Sequence, residues 1–177
     1  VDLSAADTLL DVGGGTGAMS IRLLEEYPKL VSTIIDFPNV AEIGWQFIAK
    51  AGMVDRIRYI PSNALIAEWP TGQGAILMSY LFSGIPGDEV ARLIDYGFEC
   101  LEAGGSFMVH DFMVENDRTG PPMAALWQLQ HMAFTPKARS VTPGWLRNRL
   151  QDAGFVDIQE AEMIPGMTRL IHARKPG

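Results

Sequence analysis

The run Leu9-Leu10-Asp11-Val12-Gly13-Gly14-Gly15-Thr16-Gly17 constrains this chain more than any other stretch. A hydrophobic strand ends in an acidic residue, breaks into a glycine turn and hands over to a helix. Glycine has no Cβ, so the backbone can take positive φ and approach a ligand closely. The helix beyond Gly17 turns its unpaired N–H groups toward whatever occupies the turn. Three glycines in a row and a fourth two residues on cost backbone entropy that packing a helix on a strand rarely requires. The turn therefore reads as a ligand cradle.

Apolar runs alternate with helical stretches nearly to the end of the chain. This predicts an α/β, Rossmann-like fold with helices on both faces of a mostly parallel seven-stranded sheet. Strands are expected over Thr8–Val12, Val31–Asp36, Arg56–Pro61, Ala75–Leu81, Ser106–Phe112, Phe155–Met163 and Thr168–Arg174. Only Ile164-Pro165-Gly166-Met167 joins the last two, a connection short enough to make them an antiparallel hairpin. The first helix, from Ala18 to Tyr27, has apolar residues spread widely around its wheel and is expected to be mostly buried. The second opens at Pro38, carries Val40, Ile43, Phe47 and Ala51 and stops at Gly52. A third carries Val90, Leu93, Ile94, Gly97, Phe98 and Leu101, and a fourth runs from Met123 to Phe134. Thr142 and Pro143 read as the N-cap and first turn of a fifth.

Bulk properties narrow the function. At 177 residues the chain holds one full core. No apolar run reaches membrane-spanning length, which predicts a soluble protein. A net charge of −7 without a Lys/Arg cluster argues against a nucleic-acid substrate. The single cysteine, Cys100, rules out a disulfide framework and a cysteine-ligated metal site, so a reducing, cytoplasmic setting and no metal are expected.

Two cofactors compete for the glycine turn. As G-x-G-x-x-G/A, Gly13, Gly15 and Ala18 match the dinucleotide fingerprint, with Asp36 following at the end of the next strand. As acidic-x-G-x-G-x-G, Asp11, Gly13, Gly15 and Gly17 match the loop of S-adenosylmethionine (SAM) methyltransferases without substitution. A pyrophosphate disfavours a neighbouring carboxylate, whereas the ammonium and sulfonium of SAM tolerate Asp11. SAM accounts for more of the loop, and the terminal hairpin also favours a methyltransferase over a dehydrogenase.

With LLDVGGGTG from Leu9, IIDFPNV from Ile34, GGSFMVHDFMVENDRTGP from Gly104 and LQDAGF from Leu150, the chain resembles the catalytic domain of the caffeate and bacterial polyketide type of small-molecule O-methyltransferases. The resemblance covers essentially all of its residues. It implies a helical N-terminal dimerisation domain that this chain lacks, and a homodimeric full-length protein. It implies too that the methionine part of SAM lies over Gly13, Gly14, Gly15 and Gly17, that Asp36 takes the ribose hydroxyls, and that Phe37 and Pro38 wall the adenine. Ser62, Asn63 and Ala64 stand where the family commonly has Gly-Asp and an apolar residue, and Asn63 can still accept from the adenine amino group. Ser79 falls on the same ligand-binding edge of the sheet.

The larger departure concerns the acceptor. The family's proton-abstracting histidine lies in an H-D-W segment; the matching residues here are Ser83-Gly84-Ile85. Its glutamate before the penultimate helix is replaced by about Ser140, and only Asp111 keeps a carboxylate. His131, in the helix the resemblance sets over the acceptor, reads either as a replacement base or as a packing residue. Ser83, Met123, Trp127, His131 and Met132 are the expected acceptor pocket, and His110 and His172 are expected to be structural. An in-line displacement at a sulfonium can proceed by positioning, and a thioether has no proton to lose. O-methylation is therefore expected, with S-methylation of a thioether such as 4-methylthio-2-hydroxybutyrate as the alternative; Arg118 or Arg139 would then meet that substrate's carboxylate. An NAD-dependent dehydrogenase and a non-catalytic SAM-binding protein are the remaining readings.

Overall fold

A computed structural model describes residues 1–177, apart from the side chain of Met132. Met132, expected in the acceptor pocket, therefore lies outside the described residues as far as its contacts go. The strands are β1 (Thr8–Val12), β2 (Val31–Asp36), β3 (Ile57–Pro61), β4 (Gln73–Ser79), β5 (Leu101–Phe112), β6 (Val156–Ile164) and β7 (Thr168–Arg174). The helices are α1 (Ala18–Glu26), α2 (Pro38–Lys50), α3 (Gly87–Cys100), α4 (Pro122–Phe134) and α5 (Pro143–Asp152), with one 3-10 turn at Phe82–Gly84.

The sheet has seven strands in the order β3-β2-β1-β4-β5-β7-β6. The β1–β2, β1–β4, β2–β3 and β4–β5 pairs are parallel, while β7 is antiparallel to both β5 and β6. The expected α/β fold and terminal hairpin are both present. Strand order reverses between β1 and β4, which opens a crevice at the carboxyl ends of these strands. One core, with Leu10, Ile76, Phe107 and Val109, lies beneath α3 and α5; the other, with Leu9, Ile34, Leu77 and Met108, lies beneath α1 and α2.

Strand and helix limits differ from expectation where one residue breaks the local pattern. β4 stops at Ser79 because Tyr80 takes φ of 57°, a left-handed conformation that no strand continues through. β5 begins at Leu101, and the register with β4 shifts between Gln73 and Ala75 to absorb Gly104 and Gly105.

The first helix buries less than expected, and the second buries its small residues. In α1 only Ser20 and Leu24 are buried. In α2 the buried residues are Ala41, Gly44 and Ile48, whereas the apolar Ile43 and Phe47 are each 51% exposed. The small stripe faces inward because Tyr59, on β3, fills the space where larger side chains would sit. α4 is the opposite case: apolar nearly all round, it buries Ala124 and Gln128 while Met123, Leu126, Leu129 and Phe134 face outward.

Candidate functional site

The glycine turn leaves β1 at the crevice. Gly13, Gly15 and Gly17 have φ of 70°, 60° and 85°, so the turn needs three left-handed residues in alternation. Gly14 is required for a different reason. A Cβ there would lie 2.6 Å from the Asp11 carboxylate and 2.8 Å from Ile34. On the outer side of Gly15 nothing lies within 4 Å of a Cβ position, so the turn is packed from below and open above.

Asp11 is wholly buried beneath the turn, where its Oδ2 accepts from Ser20 Oγ at 2.7 Å and its Oδ1 has no hydrogen-bond partner among the described residues. Desolvation pushes its carboxyl up to about 6 despite the Ser20 hydrogen bond. Expected among the cofactor-binding residues, Asp11 has no surface with which to touch a ligand. It supports the turn instead.

Asp36, at the end of β2, closes the turn from the side. Its Oδ2 accepts from the Gly15 N–H at 2.7 Å and its Oδ1 from the Phe37 N–H at 2.7 Å. A carboxylate has about four lone-pair sites, so both oxygens keep capacity for further donors. Phe37 is 52% exposed beside it, the N-cap of α2, with Pro38 in the first turn.

Beyond β3, Ser62 donates its N–H to the Asp36 carbonyl at 2.8 Å, which draws that turn against Asp36. The Asn63 side-chain oxygen accepts from the Leu65 N–H at 3.0 Å and the Ala64 carbonyl accepts from Trp69 Nε1 at 3.1 Å. The Asn63 carbonyl expected to meet adenine thus already serves the turn, and its amide N–H groups remain. Ser79 Oγ is paired with His110 Nδ1 at 3.0 Å rather than free at the edge.

A second group of residues assembles after β4 and β5. Asp111 is fully buried, and its carboxylate accepts from the Ser83 N–H at 3.0 Å and the Phe112 N–H at 2.8 Å. Burial raises its pKa above the ordinary carboxylate value, against the Ser83 and Phe112 hydrogen bonds and the charge of His131. Asp111, expected as a catalytic carboxylate, is thus fully buried and holds the Ser83 and Phe112 backbone.

Trp127 donates from Nε1 to Ser83 Oγ at 3.3 Å, stacks on Phe112 at 4.4 Å between ring centroids and lies 5.1 Å from the His131 ring. His131 covers Gly84 so closely that a Cβ there would sit 3.2 Å from its Nδ1. Its Nε2 is buried without a hydrogen-bond partner among the described residues. Ser83, Asp111, Trp127 and His131 therefore converge, whereas Met123 is half exposed on the outer part of α4. His110 lies between Ser79 and Thr168, with its pKa lowered by desolvation. His172 pairs with Ser106 near the other end of β5.

Two aromatic residues escaped the sequence reading. Tyr59 donates its hydroxyl to the Gly15 carbonyl at 2.8 Å, so β3 also grips the turn; burial pushes its phenol up to about 12. The signal was Gly44, a glycine in mid-helix, which marks a close approach. Tyr80 packs against His110, Phe112 and Trp127. Its left-handed backbone has no sequence signature.

Comparison with known proteins agrees with this geometry. The chain is 30% identical over 159 residues to the 3-hydroxy-5-methyl-1-naphthoate 3-O-methyltransferase of Streptomyces sahachiroi, covering 90% of this chain and 46% of that protein. It is 29% identical to the L-tyrosine C(3)-methyltransferase of Streptomyces lavendulae, covering 88% and 43%. The chain thus spans about half the length of the curated relatives it matches. Human N-acetylserotonin methyltransferase, solved in complex with SAM, superposes with a TM-score of 0.87 at 23% identity over 100% of this chain and 50% of that one, which speaks for the fold alone. The glycine turn, the reversal of strand order and the segments around Ser83 all fall within the stretch that matches the O-methyltransferase domain, residues 1–156, and the chain belongs to that family.

Proposed function

We propose that this chain is the catalytic domain of a SAM-dependent methyltransferase that transfers a methyl group to an oxygen of a small-molecule acceptor. The observation that carries the reading is the pairing of Asp36 with the open glycine turn. Asp36 is fixed by the Gly15 and Phe37 N–H groups, yet each of its oxygens can still accept from a ribose hydroxyl. The open side of Gly15 leaves room for the ligand. Gly13, Gly14, Gly15 and Gly17 would hold the methionine part, and Phe37, Ser62, Asn63 and Ala64 the adenosine. The residues present fit the group.

Bound there, SAM supplies an electrophilic methyl on a sulfonium. The protein must align an acceptor and dispose of its proton. His131 stands beside Ser83, where the family's histidine is absent, and supplies the imidazole from another element. It takes the acceptor's hydroxyl proton, while the Asp111 charge stabilises the imidazolium that forms. Asp111 also fixes the Ser83 segment through its N–H, and Trp127 holds the Ser83 hydroxyl, so the acceptor wall is rigid.

The same reading carries a cytoplasmic, homodimeric full-length protein with a further N-terminal domain and no nucleic-acid substrate. The exposed apolar side of α4 and the net charge of −7 support it, and among the described residues no helix is long and apolar enough to cross a membrane.

Titration with SAM tests the cofactor site. Asp36→Ala is expected to weaken SAM by about 1.5–3 kcal/mol, the worth of hydrogen bonds to a charged group. Unchanged affinity would remove the basis of the assignment.

A further inference from the structure

Most cations of this acidic protein have partners. Arg22 pairs with Glu25 and Glu26, Arg92 with Glu89, Arg147 and Arg169 with Glu160, and Arg149 with Asp95. Arg56 and Lys175 donate to backbone carbonyls. Arg118, Lys137 and Arg139, like the exposed Lys29, Lys50 and Arg174, have no ion-pair partner among the described residues, but the first three alone line one concavity of about 810 Å³. Asp88 is the only carboxylate on its wall. The groove also receives the first residues of α3 and α5, whose N-terminal dipoles add positive potential.

The cations are held there by the fold. An antiparallel bridge between Pro86 and Ala138, with the Gly87 N–H donating to the Lys137 carbonyl at 3.1 Å, fixes the segment before α5. Ala138 is buried, whereas its neighbours Lys137, in a turn, and Arg139 are exposed. The Arg139 stem lies against the start of α3, where a Cβ on Gly87 would come within 3.1 Å of it. Arg118 has φ of 62°, a left-handed backbone in a non-glycine residue. Its loop is tied to α5 by Asn116, which accepts from the Gly144 N–H at 2.8 Å. Trp145, 42% exposed, supplies a flat apolar wall.

We propose that this groove binds an aromatic carboxylate, its ring on Trp145 and its carboxylate among Arg118, Lys137 and Arg139. Guanidinium groups receive a carboxylate through paired N–H donors, and an aromatic face accepts both rings and cations. The glycine turn, Ser83, Trp127 and His131 do not line the groove, while Ser140, which stands where the family has its glutamate, does.

Calorimetric titration with 2-naphthoate, the neutral 2-naphthamide and inorganic phosphate tests it. The wild type is expected to prefer naphthoate to naphthamide by about 10- to 100-fold at low salt, the range of a charge-assisted hydrogen bond. Added NaCl should erode that preference, and the Lys137→Gln/Arg139→Gln pair should abolish it. Both residues are exposed, so the double variant should melt as the wild type does. Trp145→Phe should weaken naphthoate and leave phosphate unchanged. Equal binding of naphthoate and naphthamide, or full naphthoate affinity in the double variant, would overturn the proposal. Phosphate binding as tightly as naphthoate would overturn the aromatic part and leave an inorganic oxyanion site. Asp36→Ala serves as the separating control: it should lose SAM and keep naphthoate, so failure here and failure of the methyltransferase reading give different results.

Discussion

Replacing Gly44 by alanine tests how the glycine turn is held, because intrinsic preference and packing predict opposite signs. In a helix interior alanine is favoured over glycine by about 0.8–1 kcal/mol, so α2 taken alone should gain. The structure opposes this. A Cβ at Gly44 would fall on the Tyr59 hydroxyl and lie 2.6 Å from Cζ, so the ring must move. Moving it breaks the bond from the hydroxyl to the Gly15 carbonyl, a loss of about 1 kcal/mol, and overpacking adds about 1–3 kcal/mol. Set against the propensity gain, the net expectation is a destabilisation of about 1–3 kcal/mol, with the melting temperature falling by about 2–4 °C per kcal/mol in a chain of this size. Urea unfolding of the wild type, Gly44→Ala, Tyr59→Phe and the double variant measures it. The double variant should lose less than the sum of the two single ones, since the hydroxyl is both the clashing group and the lost donor. A Gly44→Ala protein as stable as the wild type would show that Tyr59 does not clamp the turn.

Two further outcomes follow from the buried charges and the imidazole. The Asp11 carboxyl is raised to about 6 from an ordinary value near 3.8, so between these limits the folded state holds more protons than the unfolded one. Stability from this group is therefore full below about pH 4 and declines as pH rises through 6; Asp11→Asn should remove that decline, worth about 3 kcal/mol, from the difference between the two pH–stability curves. A constant difference across pH 4–7 would refute the buried-charge account. His131→Gln is expected to lower turnover by about 10²–10⁴-fold if the imidazole is the base, with KM for SAM unchanged. A loss confined to thermal stability would return His131 to packing.

The residues that grip the cofactor turn were largely legible because their signals are local. Gly13 to Gly17 must take unusual φ, and Asp36 ends a run of β-branched residues. What could not be read was which side of a helix meets the sheet. Val40, Ile43 and Phe47 form a convincing apolar stripe on α2, yet the tyrosine on β3 selects Ala41, Gly44 and Ile48 instead. That choice depends on a residue distant in sequence. On the other side, Ser83, Trp127 and His131 do come together, but sequence does not reveal that the Asp111 carboxylate is fully buried and not open to a ligand. Arg118 and Arg139 were noted singly, and only the bridge from Pro86 to Ala138 brings them with Lys137 to one groove.

The reversal of strand order between β1 and β4 also divides the labour of the sheet. The hydrogen bonds that grip the glycine turn and Asp36 come from β1, β2, β3 and the turns beside them, with Leu81 beyond β4 packing on Gly13, and everything around Ser83 and His131 follows β4 or β5. Apart from Leu81, mutation on the second half can therefore change the surroundings of Ser83 without touching the hydrogen bonds of the first. Ser83 and Ser140, which the family resemblance sets where a histidine and a glutamate would stand, both lie on that second half. Relatives named for methylation at oxygen in one case and at carbon in another are the outcome that such a partition permits. The fold keeps one side as a fixed holder and leaves the other free to diversify.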